Sequence, residues 1–344
     1  MNSFGHAFRI TLTGESHGPE IGIIIDGIPP GIPLAPEDFY SDLKRRKPGQ
    51  NGTTPRREQD TPLIEAGLYQ GKTTGAPLMI VFKNRDQQPN DYRQILNTPR
   101  PGHADWTAAW KYKGFNDPRG GGRFSGRLTV GLVAAGVLAK KIIHPVQLKA
   151  VITEIGGTQN FEPAVQEAAA QQDSIGGIIE CRGKNMPAGW GEPFFDSMES
   201  LLSHIIFSIP GIKGLEFGSG FQSARMRGST CNDPITDTGG RTLSNHSGGI
   251  NGGISNGNEL IFRAAVKPAS SITRPQKTIN TRTGKTETLI IPGRHDACIA
   301  LRMPVIIEAA AAIVLADFSL RKIVSFPERH NPLKEIEEDE GRSP

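Results

Sequence analysis

Aromatic residues are scarce in this chain, 6% of its 344 residues, which leaves little platform for stacking nucleic-acid bases. An excess of charge is lacking too. Lys and Arg number 39 against 35 Asp and Glu, a formal net charge of +4, too slight for a dedicated nucleic-acid binder of this size. Cysteine occurs three times, at Cys181, Cys231 and Cys298, far apart and with no C-x-x-C pair. That argues against a disulfide framework, and without H-E-x-x-H or clustered cysteines no metal site is expected. Long hydrophobic runs are missing as well. Val130–Ala139 and Ala309–Ala316 are flanked by charges and fall short of the ~20 residues of a membrane span. Met1 to Gly14 has no charged stretch leading into a signal-type apolar run. The expectation is a cytoplasmic protein that contacts neither nucleic acid nor membrane.

Glycine and proline, by contrast, are plentiful, at 41 and 26 residues, so loops and tight turns take a large share of the chain. Apolar residues at 36% and charged residues at 22% suit a folded core. Short apolar and alternating runs predict strands at Phe8–Thr13, Ile21–Asp26, Leu63–Tyr69, Pro77–Phe82, Gln147–Ile155 and Leu260–Val266. Helices are predicted at Pro36–Lys47, Trp106–Tyr112, Gly126–Ile142, Glu162–Gln172, Ser197–Phe207 and Pro304–Val324. The segments 126–142 and 304–316 are apolar nearly all round and so belong in the core, with Glu308 the one charge inside the second. Several strands are consecutive, which favours an α+β layered fold with mostly antiparallel sheet over a doubly wound one. From Ser325 to Pro344 the chain turns polar, with an acidic block at Glu335–Glu340, and reads as a mobile tail.

Gly14-Glu15-Ser16-His17-Gly18 follows the first predicted strand. It matches G-x-S-x-G, but a nucleophile elbow needs a helix directly after the serine. Ile21-Gly22-Ile23-Ile24-Ile25 is strand-like instead. The stronger reading makes His17 the working group, set in a small-residue turn and titrating near neutrality; the plain alternative is a turn with an incidental histidine. Around a Gly/Pro/Asn loop, Arg45, Arg46, Arg56 and Arg57 fall within thirteen positions. Guanidinium groups leaving a helix into such a loop make a plausible anion clamp, although a solvated helix face would look similar. Arg100-Pro101-Gly102-His103-Ala104-Asp105 adds an arginine and a histidine around a turn. Arg119-Gly120-Gly121-Gly122-Arg123-Phe124-Ser125-Gly126-Arg127 then runs into the predicted core helix. A glycine-rich loop opening a helix is an anion site, and three arginines there suit a polyanion better than a bare turn. No G-x-G-x-x-G is present, and Ala66 stands where a Walker A loop needs its first glycine. Five glycines within 247–257 suit a close approach of backbone to something bulky. Lys267-Pro268-Ala269-Ser270-Ser271 and Arg294-His295-Asp296-Ala297-Cys298 complete the set.

Taken together, Gly14–Gly18, Arg100–Asp105, Gly120–Arg127, Ser244-Asn245-His246, Lys267–Ser271 and Arg294–Cys298 occur in the order and spacing of the chorismate synthase family, which the chain resembles over about residues 4–322. The resemblance implies a βαβ sandwich in one catalytic domain over residues 1–324, assembled as a homotetramer. It implies a 1,4-anti elimination of phosphate from 5-enolpyruvylshikimate 3-phosphate to give chorismate, a carbon–oxygen lyase reaction that uses reduced FMN without net redox change. By resemblance His17 lies beside the leaving phosphate and His103 near the flavin, while Asp296 assists removal of the C6 proton through flavin N5. Arg46, Arg56, Arg57, Arg100, Arg127 and Arg294 become the substrate clamp. FMN contacts carry over to Arg123, Phe124, Ser125, Pro210, Gly211, Gly252, Lys267, Pro268, Ala269, Ser270, Ser271 and Arg294. Phe124 stands where a small residue is usual, and Pro210-Gly211 replaces the commoner Asn-Ala. The short loop Gln50–Pro55 lacks an arginine often found there, so NAD(P)H is implied only as an indirect electron source, through a separate flavin reductase. From the residues alone, two readings stay open: an enzyme acting on a polyanionic substrate, and a polyanion-binding module using the same arginines for RNA.

Overall fold

A computed structural model describes residues 2–49, 51–54, 58–86, 97–291, 293 and 295–325. Two antiparallel sheets enclose a layer of helices. The first sheet is built from β1 (Ser3–Phe4), β2 (Arg9–Gly14), β3 (Glu20–Asp26), β4 (Leu63–Ala66) and β7 (Leu78–Lys83), in the order β1-β2-β3-β7-β4. Its middle strand β3 is the run Glu-Ile-Gly-Ile-Ile-Ile-Asp, whose Ile21, Ile23 and Ile25 are fully buried on the helix-facing side. Two-residue strands β5 (Leu68–Tyr69) and β6 (Lys72–Thr73) form a small hairpin beside it. The second sheet combines β8 (Gln147–Ile155), β9 (Gly177–Lys184), β11 (Ile212–Phe217) and β14 (Leu260–Val266), in the order β11-β14-β9-β8. A three-stranded sheet adds β10 (Ala188–Gly191), β12 (Ile250–Asn251) and β13 (Ile254–Asn256), and a hairpin adds β15 (Gln276–Ile279) and β16 (Thr286–Leu289).

Between the sheets lie α3 (Thr129–Ile142) and α7 (Met303–Ser325), flanked by α1 (Tyr40–Arg46) and α5 (Met198–Ser208). Every residue of α3 from Thr129 to Ala139 is buried, as its apolar circumference requires. The two central helices touch at Gly136, where an added Cβ would lie 2.4 Å from that of Ala309. Only small residues permit backbones so close. Three shorter helices, α2 (Asp105–Tyr112), α4 (Phe161–Ala170) and α6 (Gly228–Cys231), lie outside this layer's core contacts.

Glu308 is tolerated inside the core because it is fully partnered. Its two oxygens accept Arg45 Nη1 and Nη2 at 2.7 Å each, Lys140 Nζ lies at 3.3 Å, and the backbone N–H of Ala150 donates at 2.9 Å. Asp317, fully buried on the same helix, accepts the backbone N–H groups of His6, Ala7 and Phe8 at 2.6–2.9 Å. It thereby ties the N-terminal turn to the core.

Three expectations need adjustment. The strand expected over Leu63–Tyr69 is broken in two at Gly67, whose φ of +88° sits at a turn with an added Cβ only 2.7 Å from the Leu78 Cα. The apolar run at 309–316 belongs to a helix that, over Ile299–Arg321, is long and apolar enough to cross a membrane by length and composition. Within the fold, 78% of its most apolar window is buried, which is the pattern of a core helix. Ser325, where the polar tail was expected to begin, is the last residue of α7, and residues 326–344 lie outside those described.

Candidate active site

The candidate motifs converge on one cavity of about 680 Å³, within the range of small-molecule sites. His17 lies in the turn joining β2 to β3, closed by a hydrogen bond from the Gly18 N–H to the Glu15 carbonyl at 3.1 Å. The Ser16 N–H donates to the Gly122 carbonyl at 3.2 Å, which docks this turn on the glycine loop. Ser16 is fully buried and is followed by strand β3 rather than a helix, so the geometry of a nucleophile elbow is not built.

The glycine loop runs from Arg119 to Phe124. Gly120, Gly121 and Gly122 adopt φ of 59°, 78° and 49°, left-handed values that favour glycine. Their lack of side chains is used directly: a Cβ on Gly120 would lie 1.9 Å from His17 Nδ1, and one on Gly121 3.2 Å from His103 Cε1 and Nε2. Next, Ser125 caps the turn that opens α3, its hydroxyl accepting the Arg127 N–H at 3.3 Å.

Arg127 and Arg46 share a carboxylate that the sequence did not single out. Asp60 accepts Arg46 Nη2 through Oδ2 at 2.5 Å and Arg127 Nη1 through Oδ1. Burial opposes charge on Asp60, but the two guanidinium groups outweigh it and hold the carboxyl below the usual carboxylate range. Arg127 Nε donates to Asn84 Oδ1 at 3.0 Å, while its Nη2 is buried with no hydrogen-bond partner among the described residues. Arg127 lines the cavity, and a guanidinium with an unused donor suits an anionic ligand.

Arg100 behaves differently from the expected clamp. Its Nε and Nη2 form a bidentate pair with Asp105 at 2.7 Å each, and its Nη1 donates to Ser271 Oγ at 3.0 Å. His103 Nδ1 lies 2.6 Å from Asp105 Oδ1. Burial again opposes charge on Asp105, and the contacts from Arg100 and His103 hold its carboxyl far below the usual range.

Lys267 Nζ donates to the Gly102 carbonyl at 2.6 Å and to Ser270 Oγ at 2.7 Å, so the Lys267–Ser271 loop is fastened to the turn carrying His103. The Lys267 N–H donates to the Gly211 carbonyl at 2.8 Å, bringing Pro210-Gly211 to the same wall. Asp296 accepts the Thr54 N–H at 2.8 Å and Arg302 Nη2 at 2.5 Å. Arg123 lines the cavity, but its guanidinium is turned to the carbonyls of Leu12 and Gly14 and to Asn2 Oδ1.

His17, His103, Asp296, Arg46, Arg100, Arg127, Arg123, Phe124, Ser125, Pro210, Gly211 and Lys267 to Ser271 therefore share one cavity wall. Gly252 does not: it sits in the β12–β13 turn, with nothing within 4 Å of an added Cβ, away from the described lining. Arg56, Arg57 and Arg294 lie outside the described residues. Asp60, Asp105, Arg302, Asn84 and Lys213 had no assigned role. Asp105 stood inside a quoted motif and Asp60 next to the arginine cluster, but neither shows its partner by spacing.

Among the described lining residues, eight Lys and Arg side chains face four Asp and Glu. That surplus of four equals the net charge of the whole chain, +4. The cavity thus concentrates positive potential where a polyanion would bind. Volume, cation surplus and the orphaned Arg127 nitrogen fit a phosphorylated, multiply anionic ligand set such as a substrate phosphate with FMN.

Comparison with known proteins agrees with this geometry. The chorismate synthase family model matches residues 8–320. A chorismate synthase of Chitinophaga pinensis is 55% identical over 321 residues, covering 93% of this chain and 97% of that protein. Those of Opitutus terrae and Sulfurisphaera tokodaii are 43% and 42% identical, each covering 93% of this chain and 97% and 90% of their own lengths. A crystal structure of chorismate synthase superposes with a TM-score of 0.73 at 25% identity, over 98% of both chains. With a family model over nearly its whole length and close full-length relatives, the chain belongs to the chorismate synthase family.

Proposed function

We propose that this cavity carries out the family's reaction, the 1,4-anti elimination of phosphate from 5-enolpyruvylshikimate 3-phosphate to chorismate. Family membership makes the chain a carbon–oxygen lyase of aromatic amino-acid biosynthesis. The observation that supports the site assignment is the glycine triplet holding two histidines at one wall of a strongly cationic cavity. Reduced FMN, when bound, supplies an electron-rich ring that assists departure of the phosphate without net redox change.

This chain's residues then divide the work. Arg46 and Arg127, preorganised by Asp60, bind the anionic substrate. His17, almost fully buried, neutralises or protonates the leaving phosphate, since expelling a phosphate demands charge compensation at its oxygens. Asp296, which accepts Arg302 Nη2 and the Thr54 N–H, is the residue that assists removal of the C6 proton. The loops of Ser125, Pro210-Gly211 and Lys267–Ser271 are the cofactor contacts in this reading. A homotetramer in the cytoplasm, supplied with reduced flavin by a separate reductase drawing on NAD(P)H, completes it.

The test is anaerobic incubation of the protein with 5-enolpyruvylshikimate 3-phosphate and reduced FMN, following phosphate and chorismate together. Equimolar release of both, absent when FMN is omitted or left oxidised, is expected. Phosphate release without chorismate would reject the reading.

A further inference from the structure

Arg100, His103 and Asp105 form a closed group of three. The Asp105 carboxylate accepts the Arg100 backbone N–H at 3.0 Å and Arg100 Nε and Nη2 at 2.7 Å each, and its Oδ1 lies 2.6 Å from His103 Nδ1. Arg100 Nη2 also lies 3.0 Å from that same ring nitrogen. The arginine only donates and the ionised carboxylate only accepts, so Nδ1 cannot satisfy both at once. The shorter contact belongs to the carboxylate, and a hydrogen bond to a charged acceptor is the stronger one. Nδ1 therefore carries the hydrogen. The lone pair of the neutral ring is left on Nε2, the edge against Gly121.

We propose that Asp105 is the positioning residue of His103, fixing its Nδ1–H tautomer and ring orientation so that Nε2 is the proton-accepting atom, and that Arg100 serves Asp105 rather than the substrate. The contrast with Arg127 supports the second half. Each of the three guanidinium nitrogens of Arg100 has a protein partner, whereas Arg127 Nη2 is buried without one among the described residues. The hydrogen bond made by one ring nitrogen sets which nitrogen of a working histidine carries the proton, and for metal-bound histidines the loss of such a partner lowers function ~10–100-fold. The inference rests on the reading of His103 as the histidine beside the flavin.

The test begins on flavin-free protein, by magic-angle-spinning 15N spectroscopy of histidine-labelled chain, with His103→Ala identifying the resonances of His103. A protonated Nδ1 and an unprotonated Nε2 in the neutral ring are expected; the opposite tautomer overturns the proposal without recourse to any variant. Asp105→Asn should move the ring toward the Nε2–H form and lower kcat ~10–100-fold, with the substrate KM changed less than about threefold. In the His103→Ala background the same substitution should cost no more than about twofold, because the effect runs through the missing ring. A full additional loss there, or a raised KM with unchanged kcat in Asp105→Asn, overturns the proposal. Arg100→Gln should likewise lower kcat with little change in KM, and a tenfold rise in KM would return Arg100 to the substrate. An intact Nδ1–H tautomer in a protein that fails to bind reduced FMN would support the Asp105–His103 pair and overturn the flavin reading alone.

Discussion

Gly120 and His17 are in mutual contact so close that neither position tolerates a larger neighbour. A Cβ on residue 120 would lie 1.9 Å from His17 Nδ1 and 2.1 Å from Cε1, and the backbone there has φ +59°. Gly120→Ala must therefore displace the imidazole as well as strain the loop. We expect a loss in kcat approaching that of removing His17 itself, ~10²–10⁴-fold, with ~1–3 kcal/mol of backbone strain. Steady-state rates and thermal unfolding measured on the same preparation check this; an active, unstrained Gly120→Ala would show that the loop does not hold His17.

The Asp60 pair links binding to stability. Arg127→Ala removes a buried charge-assisted donor and should weaken substrate binding ~10–100-fold, or ~1.5–3 kcal/mol, by calorimetry. Asp60→Ala leaves two buried cations facing each other and should destabilise the fold by ~3–5 kcal/mol.

Acid sensitivity follows from the same carboxylate. The folded-state pKa of Asp60 lies below its ordinary value of 3.8. Its contribution is therefore fully present above that ordinary value and is lost as pH falls through the lower, folded one. Glu308, also lowered against burial by Arg45 and the Ala150 N–H, acts in the same direction from an ordinary 4.5. Unfolding midpoints should fall below pH 4.5 more steeply for the parent than for Glu308→Gln, which should be less stable throughout. Parallel curves would contradict this.

The cysteines offer an independent check on packing. Cys181 and Cys298 are fully buried, and burial raises both thiols, whereas Cys231 is part-exposed at the end of α6. Thiol reagents should modify one group per native chain and three after denaturation. Rapid modification of all three in the native protein would refute the core packing.

What could be read in the sequence was the part whose signal is local. β8 and β14 fall on their expected residues, β14 alternating buried and half-buried positions along its whole length, and α3 and α7 announce themselves by apolar faces all round. β9 was not foreseen: its inward face is Ile179, Cys181 and Gly183, with Gly177 and Gly183 weakening the strand signal. The candidate site shows the same division. His17 and His103 sit in short motifs of their own, but Asp60 meets Arg46 from 14 positions away and Arg127 from 67. Those separations carry no periodic signature, since the partners meet only once the layers pack. The arginine run likewise did not reveal that Arg100 is occupied by Asp105.

The division of labour between the two histidines is tested most directly by anaerobic stopped-flow on His17→Ala and His103→Ala, following the flavin spectrum and phosphate release together. His17→Ala should bind reduced FMN with an unaltered spectrum yet release phosphate ~10²–10⁴-fold more slowly. His103→Ala should alter the spectrum of the bound reduced flavin as well as the rate. A perturbed spectrum in His17→Ala with an untouched one in His103→Ala would reverse the roles, and near-parent rates in both would contradict the account.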